Sequence, residues 1–334
     1  MEVLVVSQRE VRRLLPMSIC IDRMADALSV LSRGEGVNPL RWGMRLEDGS
    51  GGLLGMMPGA LESPHTMGLK VVAVMPGNHG TAYDSHQGVV LLFEREHGSP
   101  VAIVDASEIT AIRTAAVSGL ATRLLAREDA GDLAILGTGV QARTHLEAMA
   151  EVRKLRRVRV FGRNEVRRQA FAQREGERLG IEVEVCGSVA ETVSGADIVC
   201  TTTSAAEPIL FGDQIASGAH INAVGSSIAR ARELDTAAVV RSRLFVDRRE
   251  STLNEGGDFL FPKNEGAIDD DHILGEIGEL VLGQVEGRRS RDEVTLFKSL
   301  GLAVEDLAAA HFVYERAREE GTGQAVELGE MLPT

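Results

Sequence analysis

DLAILGTGVQARTHLEAM, residues 132–149, begins as a short apolar run, turns through two glycines and continues with helical periodicity. Gly137, Gly139 and Ala142 form the pattern GxGxxA between the strand-like and helix-like parts. In such a turn the first glycine permits the bend, the second lets a pyrophosphate approach the backbone, and a small third residue lets helix and strand pack closely. The pattern alone is weak, but its strand-turn-helix setting predicts a dinucleotide site with Gly137, Thr138, Gly139, Val140 and Gln141 as candidate contacts.

Downstream, apolar runs recur at LAILG (133), VRVFG (158), IEVEVC (181), ADIVCTTT (196), AHINAVG (219) and RLFVD (243). Most gaps hold amphipathic helical patterns, such as NEVRRQAFAQREGERLG, so the region closes as an α/β, doubly wound parallel sheet of the Rossmann type, placed at 120–298. Thr202, at the end of the fourth run, is a further cofactor candidate. An acidic residue closing the second strand would take a ribose 2′-hydroxyl; Gly162, Arg163 and Asn164 stand there instead. An arginine at that place suits a 2′-phosphate, so NADP(H) is the expected cofactor and NAD(H) the other candidate. Arg167 and Arg168, one helical turn on, read as solvated surface.

About 130 residues precede this unit, and their pattern differs. A helix is expected over PMSICIDRMADALSVLSRG. Strand-like runs follow at GGLLGMMPGA, MGLKVVAVMPG, GVVLLFERE and PVAIVDA, with turns between them close enough for antiparallel hairpins. SEITAIRTAAVSGLATRLLA (107–126) reads as a long helix started by a serine, and SLGLAVEDLAAAHFVYERAREEG as a helix returning to the first domain. TGQAVELGEMLPT is expected to be a loose tail or a dimer contact.

The 334 residues suit two domains. A formal charge of −13 disfavours nucleic acid and anionic membranes as partners and favours a small-molecule substrate. Cys20, Cys186 and Cys200 have neither disulfide nor zinc spacing, which suits a reducing compartment. With no secretory pattern at the start and no apolar run of membrane-spanning length, the expectation is a cytoplasmic protein.

Three cations sit in apolar or turn-like settings: Arg41 in NPLRWG, Lys70 in MGLKVVAV and Arg113 in ITAIRTAA. A lysine inside so apolar a strand costs desolvation unless it meets an anion, either a substrate carboxylate or a structural ion-pair partner. Ser85, His86 and Gln87 stand at the mouth of a strand, as a turn cap or as site residues. The acidic run Asp269, Asp270, Asp271 and His272 reads as a solvated loop, because consecutive residues cannot all face one metal ion. His145 and His220 read as packing or capping residues.

DSHQGVVLLFE, ITAIRTAAVS, ILGTGVQA, EPILFG, GAHINAVGSS and TLFKSLGLAVED, in this order and over most of the chain, resemble the ornithine cyclodeaminase and mu-crystallin family. The resemblance implies a Rossmann domain (120–298) inserted into an α+β substrate-binding and dimerisation domain (1–119 with 299–334), in a homodimer. It implies that Arg41, Lys70 and Arg113 clamp the substrate carboxylate, with Ser85 and His86 nearby. Ser299 and Gly301 would lie near the nicotinamide, with Val224 and Gly225 along the same ring; Thr114 is a further cofactor candidate. Cyclodeaminases carry an aspartate where this chain has Ser227, while the ketimine-reductase branch carries serine.

The expected reaction is therefore NAD(P)H-dependent reduction of a small cyclic ketimine or alpha-imino acid, of the pyrroline- or piperideine-2-carboxylate type. Lys70, His86 or water would manage the proton. The alternatives are an ornithine cyclodeaminase-type lyase with NAD as internal redox cofactor, an alanine dehydrogenase, and a nicotinamide-dependent ligand-binding protein.

Overall fold

The computed structural model describes residues 2–47, 49–78 and 81–329. The chain divides into two compact units, Met1–Arg113 with Leu302–Thr334, and Thr114–Gly301. The divisions fall at 113/114 and 301/302 rather than at the expected 119/120 and 298/299, and the first lies inside one continuous helix. Strands and helices are numbered along the chain.

In the first unit, β1 (Glu2–Val6), β2 (Gly36–Val37), β3 (Trp42–Arg45), β4 (Leu53–Leu61), β5 (Thr66–Val74), β6 (His86–Phe93), β7 (Pro100–Asp105) and β16 (Gln324–Glu327) form one sheet. Its order is β16-β1-β7-β6-β5-β4-β2, with β3 also on β4. Strands β4 to β7 are the expected antiparallel hairpins; β1 and β7 are parallel. Two expectations are corrected. The turn-like stretch around Arg41 continues as strand β3, and the tail, rather than being loose, is edge strand β16 paired with β1 as far as Glu327. Residues 330–334 of that tail lie outside the described residues.

Helices α1 (Gln8–Leu14), α2 (Met17–Ser32) and α11 (Ala303–Glu320) belong to this unit. Gly59 and Gly68 oppose each other across β4 and β5. A Cβ on Gly59 would come within 3.2 Å of Ala303, and one on Gly68 within 2.7 Å of Leu307. Side chains on that row would push α11 off the sheet. The two bare positions therefore let the first turn of α11 reach the next row on the same face of the sheet, which holds Met57 and Lys70.

Helix α3 (Ala106–Leu125) starts one residue before the expected serine. Its first turn is capped by Asp105, whose Oδ1 accepts from Glu108 N at 2.8 Å, while the Ser107 hydroxyl donates to the His86 carbonyl.

The second unit is a Rossmann domain. Strands β8 (Asp132–Leu136), β9 (Arg157–Phe161), β10 (Val183–Val185), β11 (Ile198–Thr201), β12 (His220–Ala223), β13 (Ser242–Val246), β14 (Ile273–Glu276) and β15 (Val294–Lys298) pair in parallel. The order is β10-β9-β8-β11-β12-β15-β13-β14. Helices α4 (Val140–Val152), α5 (Glu165–Leu179), α6 (Val189–Val193), α7 (Thr236–Val240), α8 (Arg249–Glu255), α9 (Gly257–Asn264) and α10 (Ile277–Val281) complete it. The six expected strands are present. The short β14 and the late β15 were not expected, and β15 inserts between β12 and β13. No helix of the described residues is long and apolar enough to cross a membrane.

His145 and His220 are fully buried in this unit. His145 bonds the Gln141 carbonyl (2.7 Å) and the Ser118 hydroxyl (2.9 Å); His220 bonds the Thr295 hydroxyl (2.9 Å) and Asn222 (3.3 Å). Burial pushes their pKa values down from 6.5, to about 4 and about 3 respectively. The unfolded chain takes up these protons near pH 6.5 and the folded chain only well below, so stability held above pH 6.5 is lost as the pH falls. Each histidine contributes on the order of 3 kcal/mol to that loss. Thermal melts between pH 7.5 and 4.5 should show a steep acid-side decline, shallower in His145→Gln; the same slope in that variant would contradict the assignment.

Candidate active site

In the first unit, Lys70 on β5 and Arg113 on α3 are buried, at 3% and 4% exposure. Both meet the first turn of α11. Lys70 Nζ lies 2.7 Å from Asp306 Oδ2; Arg113 donates to Asp306 Oδ1 (2.9 Å) and to Glu305 Oε2 (2.7 Å). The Glu305 carboxylate also accepts the Leu302 amide at 3.1 Å, so the residue that caps α11 is tied to Arg113. Lys70 Nζ reaches the Thr110 hydroxyl at 3.4 Å. Burial pushes the Lys70 ammonium down to about 8, against the upward pull of Asp306 and with a further downward push from Arg113.

The anions that these cations require are thus partly the chain's own. Sequence reasoning missed Glu305 and Asp306, although they are the acidic pair in the apolar run SLGLAVEDLAAA. That isolation was the available signal: two buried cations call for two buried anions.

Arg41 is half-buried and immediately precedes β3. The row of Trp42 runs through Met56 to Val71, so one step back along the ladder aligns Arg41 with Met57 and Lys70. The three predicted cations therefore come from the row of Lys70 and from the helix after β7. His86 lies four residues along β6 from Val90, the partner of Lys70. It is exposed; its Nδ1 is 3.1 Å from the Ser85 hydroxyl, and its amide donates to Asp84 Oδ1. The Gln87 side chain returns to the Asp84 carbonyl, so this group has the bonding of a turn cap.

In the second unit the glycine turn has the required form. Gly137 has φ +126°, and a Cβ there would lie 2.7 Å from the Thr202 carbonyl oxygen and 2.6 Å from its hydroxyl. Thr202 in turn donates through both its amide and its hydroxyl to the Leu136 carbonyl. Gly139, the N-cap of α4, has φ −92° and is exposed, and a Cβ on it would meet nothing within 4 Å. The protein's own packing does not demand glycine there; approach of a pyrophosphate does. The residues present therefore fit a dinucleotide. Thr138 packs on Gly162, and Val140 is exposed at the first turn of α4.

Arg163 is exposed at the end of β9, where a ribose would be read. The Asn164 side chain caps α5, accepting from Arg167 N at 2.9 Å. Arg168, expected to be solvated, instead packs over the Phe161 ring and donates to the Gly162 carbonyl at 2.9 Å, bracing that turn. Asp269 caps a short turn through Asp271 N, and His272 bonds the Val239 carbonyl, so the acidic run is used in local structure.

At the ends of β12 and β15, Val224 is buried, and Ser299 N donates to the Ala223 carbonyl. Gly301 has φ +82°, and its amide and that of Leu300 converge on the buried Asp247 carboxylate. Thr114, on α3, is buried, and Ser226 donates to the Ala231 carbonyl next to Ser227.

A model of the ornithine cyclodeaminase/mu-crystallin family matches residues 1–321. The chain belongs to that family. A Delta(1)-pyrroline-2-carboxylate reductase of Bacillus cereus is 38% identical over 97% of this chain and 100% of that protein. Ketimine reductase mu-crystallin of Mus musculus is 43% identical over 79% of this chain and 80% of its own length. A structure of Thermococcus litoralis Delta(1)-pyrroline-2-carboxylate reductase in complex with NADH and L-proline superposes with a TM-score of 0.94. That chain is 39% identical, covering 96% of this chain and 99% of the other. The resemblance read from the six motifs is thereby borne out, with its Rossmann domain.

Proposed function

We propose that this protein reduces the C=N bond of a small cyclic ketimine carboxylate with a reduced nicotinamide cofactor. The product from Δ1-pyrroline-2-carboxylate would be proline. The observation that carries the reading is the buried Lys70–Arg113–Asp306–Glu305 group in a family member whose relatives carry reductase names.

The first unit's cations hold the substrate carboxylate. Fixing that group orients the ring carbon for attack, and orientation of this kind contributes roughly 7 to 11 kcal/mol at its upper end. When bound, the reduced nicotinamide supplies the hydride. Lys70 Nζ, with a pKa pushed to about 8, is charged at neutral pH yet gives up its proton readily, so it serves as the donor to the ring nitrogen. Asp306 keeps that ammonium charged within an apolar setting. Ser227 bears no carboxylate to engage a second amine, which favours simple reduction over a cyclodeaminase reaction.

Purified protein with Δ1-pyrroline-2-carboxylate or Δ1-piperideine-2-carboxylate should consume NADPH or NADH, and it should not convert ornithine to proline and ammonia. Ornithine conversion without net cofactor change would favour the lyase; pyruvate and ammonia as the best substrates would favour an alanine dehydrogenase.

Arg163 supports a preference for NADP(H). Its position and exposure suit a 2′-phosphate, which no acidic residue opposes in the run GRN. Arg163→Ala should weaken NADPH about tenfold or more and leave NADH within about twofold, as loss of one charge-assisted contact implies. Equal effects on both cofactors, measured by fluorescence titration, would remove the assignment.

The active form is a homodimer. Val37, Leu40, Trp42, Met44 and Leu46 are exposed around β2 and β3, a run of apolar side chains that a second copy would cover. Trp42→Arg should convert the dimer to a monomer in light scattering; an unchanged mass would move the interface elsewhere. A reducing, cytoplasmic setting suits the three buried thiols and a soluble cofactor.

A further inference from the structure

Two buried charged side chains of the second unit converge on the same short loop after β12. Glu233 is fully buried, and both of its oxygens are used. Oε1 accepts the Thr203 amide and the Thr203 hydroxyl, each at 2.7 Å; Oε2 accepts the Thr201 hydroxyl and the Gly225 amide, each at 2.7 Å. On the other side, Lys298, at 1% exposure, donates to the Ala223 carbonyl at 3.1 Å and to the Ser226 carbonyl. Its ammonium lies 3.1 Å from Asp258 Oδ2, while Asp258 Oδ1 accepts the Glu233 amide at 2.8 Å and the Leu234 amide at 2.9 Å. The Val224–Gly225 step is thus held by its flanking carbonyls from one direction and by its amide from the other. No side chain could replace Gly225, since a Cβ there would lie 2.1 Å from the Thr203 carbonyl oxygen and 2.5 Å from Glu233.

We propose that Glu233 is a positioning residue for the nicotinamide end of the cofactor, locking the loop after β11 to the loop after β12 so that Val224 and Gly225 present a fixed surface to the ring. This rests on the reading, made under the proposed function, that this protein binds a nicotinamide dinucleotide, and on the place along the ring that the family resemblance implies for Val224 and Gly225. Four donors on one carboxylate specify an ionised acceptor: an amide in its place, or a proton on it, turns an acceptor into a donor that faces other donors. The groups facing Glu233 are the Thr201 and Thr203 hydroxyls, Asp258 and, through Asp258, Lys298; neighbouring Arg232 is engaged by Glu265 at 3.0 Å. Burial and the nearby Asp258 raise the Glu233 pKa above the ordinary carboxylate value, so the lock opens at a higher pH than an exposed glutamate would allow.

The test compares two ligands on the full-length protein without imine: NADH, which has the ring, and ADP-ribose, which lacks it. Glu233→Gln should weaken NADH roughly tenfold, the cost of one or two charge-assisted hydrogen bonds, and leave ADP-ribose within about twofold. In the wild type, NADH affinity should fall on acidification while ADP-ribose affinity holds, and the NADH profile of Glu233→Gln should be flat. Thr203→Ala, which removes one of the four donors, should show the same selectivity at about threefold and serves if the first variant does not fold. Equal weakening of both ligands, or none of either, would overturn the inference while leaving dinucleotide binding intact. Failure of the wild type to bind either ligand would overturn the dinucleotide reading and the inference with it.

Discussion

Asp306→Asn is expected to reduce turnover by at least about a hundredfold and to move the alkaline limb of the pH profile to lower pH. Asp306 bridges Lys70 and Arg113, so the amide takes from Lys70 the carboxylate it pairs with and from Arg113 one of the two carboxylates it bonds. Breaking a buried pair from one side costs about 3–5 kcal/mol, which is also the expected loss in unfolding free energy. The sign of the pH effect follows from the forces on Lys70. Burial lowers its pKa and Asp306 raises it, so removing the carboxylate lets burial prevail and takes the proton off below the wild-type value of about 8. Turnover that depends on a charged Lys70 then fails at lower pH. Chemical denaturation gives the stability change, and initial rates across neutral to alkaline pH give the limb; a limb that stays in place would remove Lys70 from proton delivery.

Gly139→Val should separate folding from cofactor binding. Nothing of the protein lies within 4 Å of a Cβ at this position, and φ −92° is open to any residue. The melting temperature should therefore stay near wild type, while dinucleotide affinity falls about a hundredfold, or about 2.7 kcal/mol, because the side chain occupies the path of the pyrophosphate. Gly137→Ala should differ in kind. It forces an L residue to φ +126° and drives a methyl into Thr202, so it lowers stability as well as affinity. Equal affinity in Gly139→Val and wild type, read from NADH fluorescence, would place the cofactor elsewhere.

The second unit was legible because its signals are local: an apolar run, a glycine turn and an amphipathic helix repeat within short windows. What escaped depends on distance along the chain. Strand β15 is short and follows a long excursion, and only its insertion between β12 and β13 shows why Lys298 ends up buried. Glu233 lies in the polar stretch ARARELD, which reads as surface until Thr201, Thr203 and Gly225 close on it.

In the first unit the desolvation cost of Lys70 was readable, and so was the need for an anion. Which anion was not readable, because α11 is contributed by the far end of the chain and its approach is set by the bare Gly59–Gly68 row. Arg168 was misread for a similar reason: on its own helix it looks solvated, and its partner is the ring of Phe161 at the end of the preceding strand.

Direct hydride addition to the carbon that bears the carboxylate is read from where the hydrogen ends up. NADH carrying deuterium at the transferable C4 position should be incubated with Δ1-pyrroline-2-carboxylate and this protein, and the proline product examined by mass spectrometry and NMR. One deuterium, on Cα, is expected in every proline formed; proline without deuterium, or no proline at all, would rule direct transfer out.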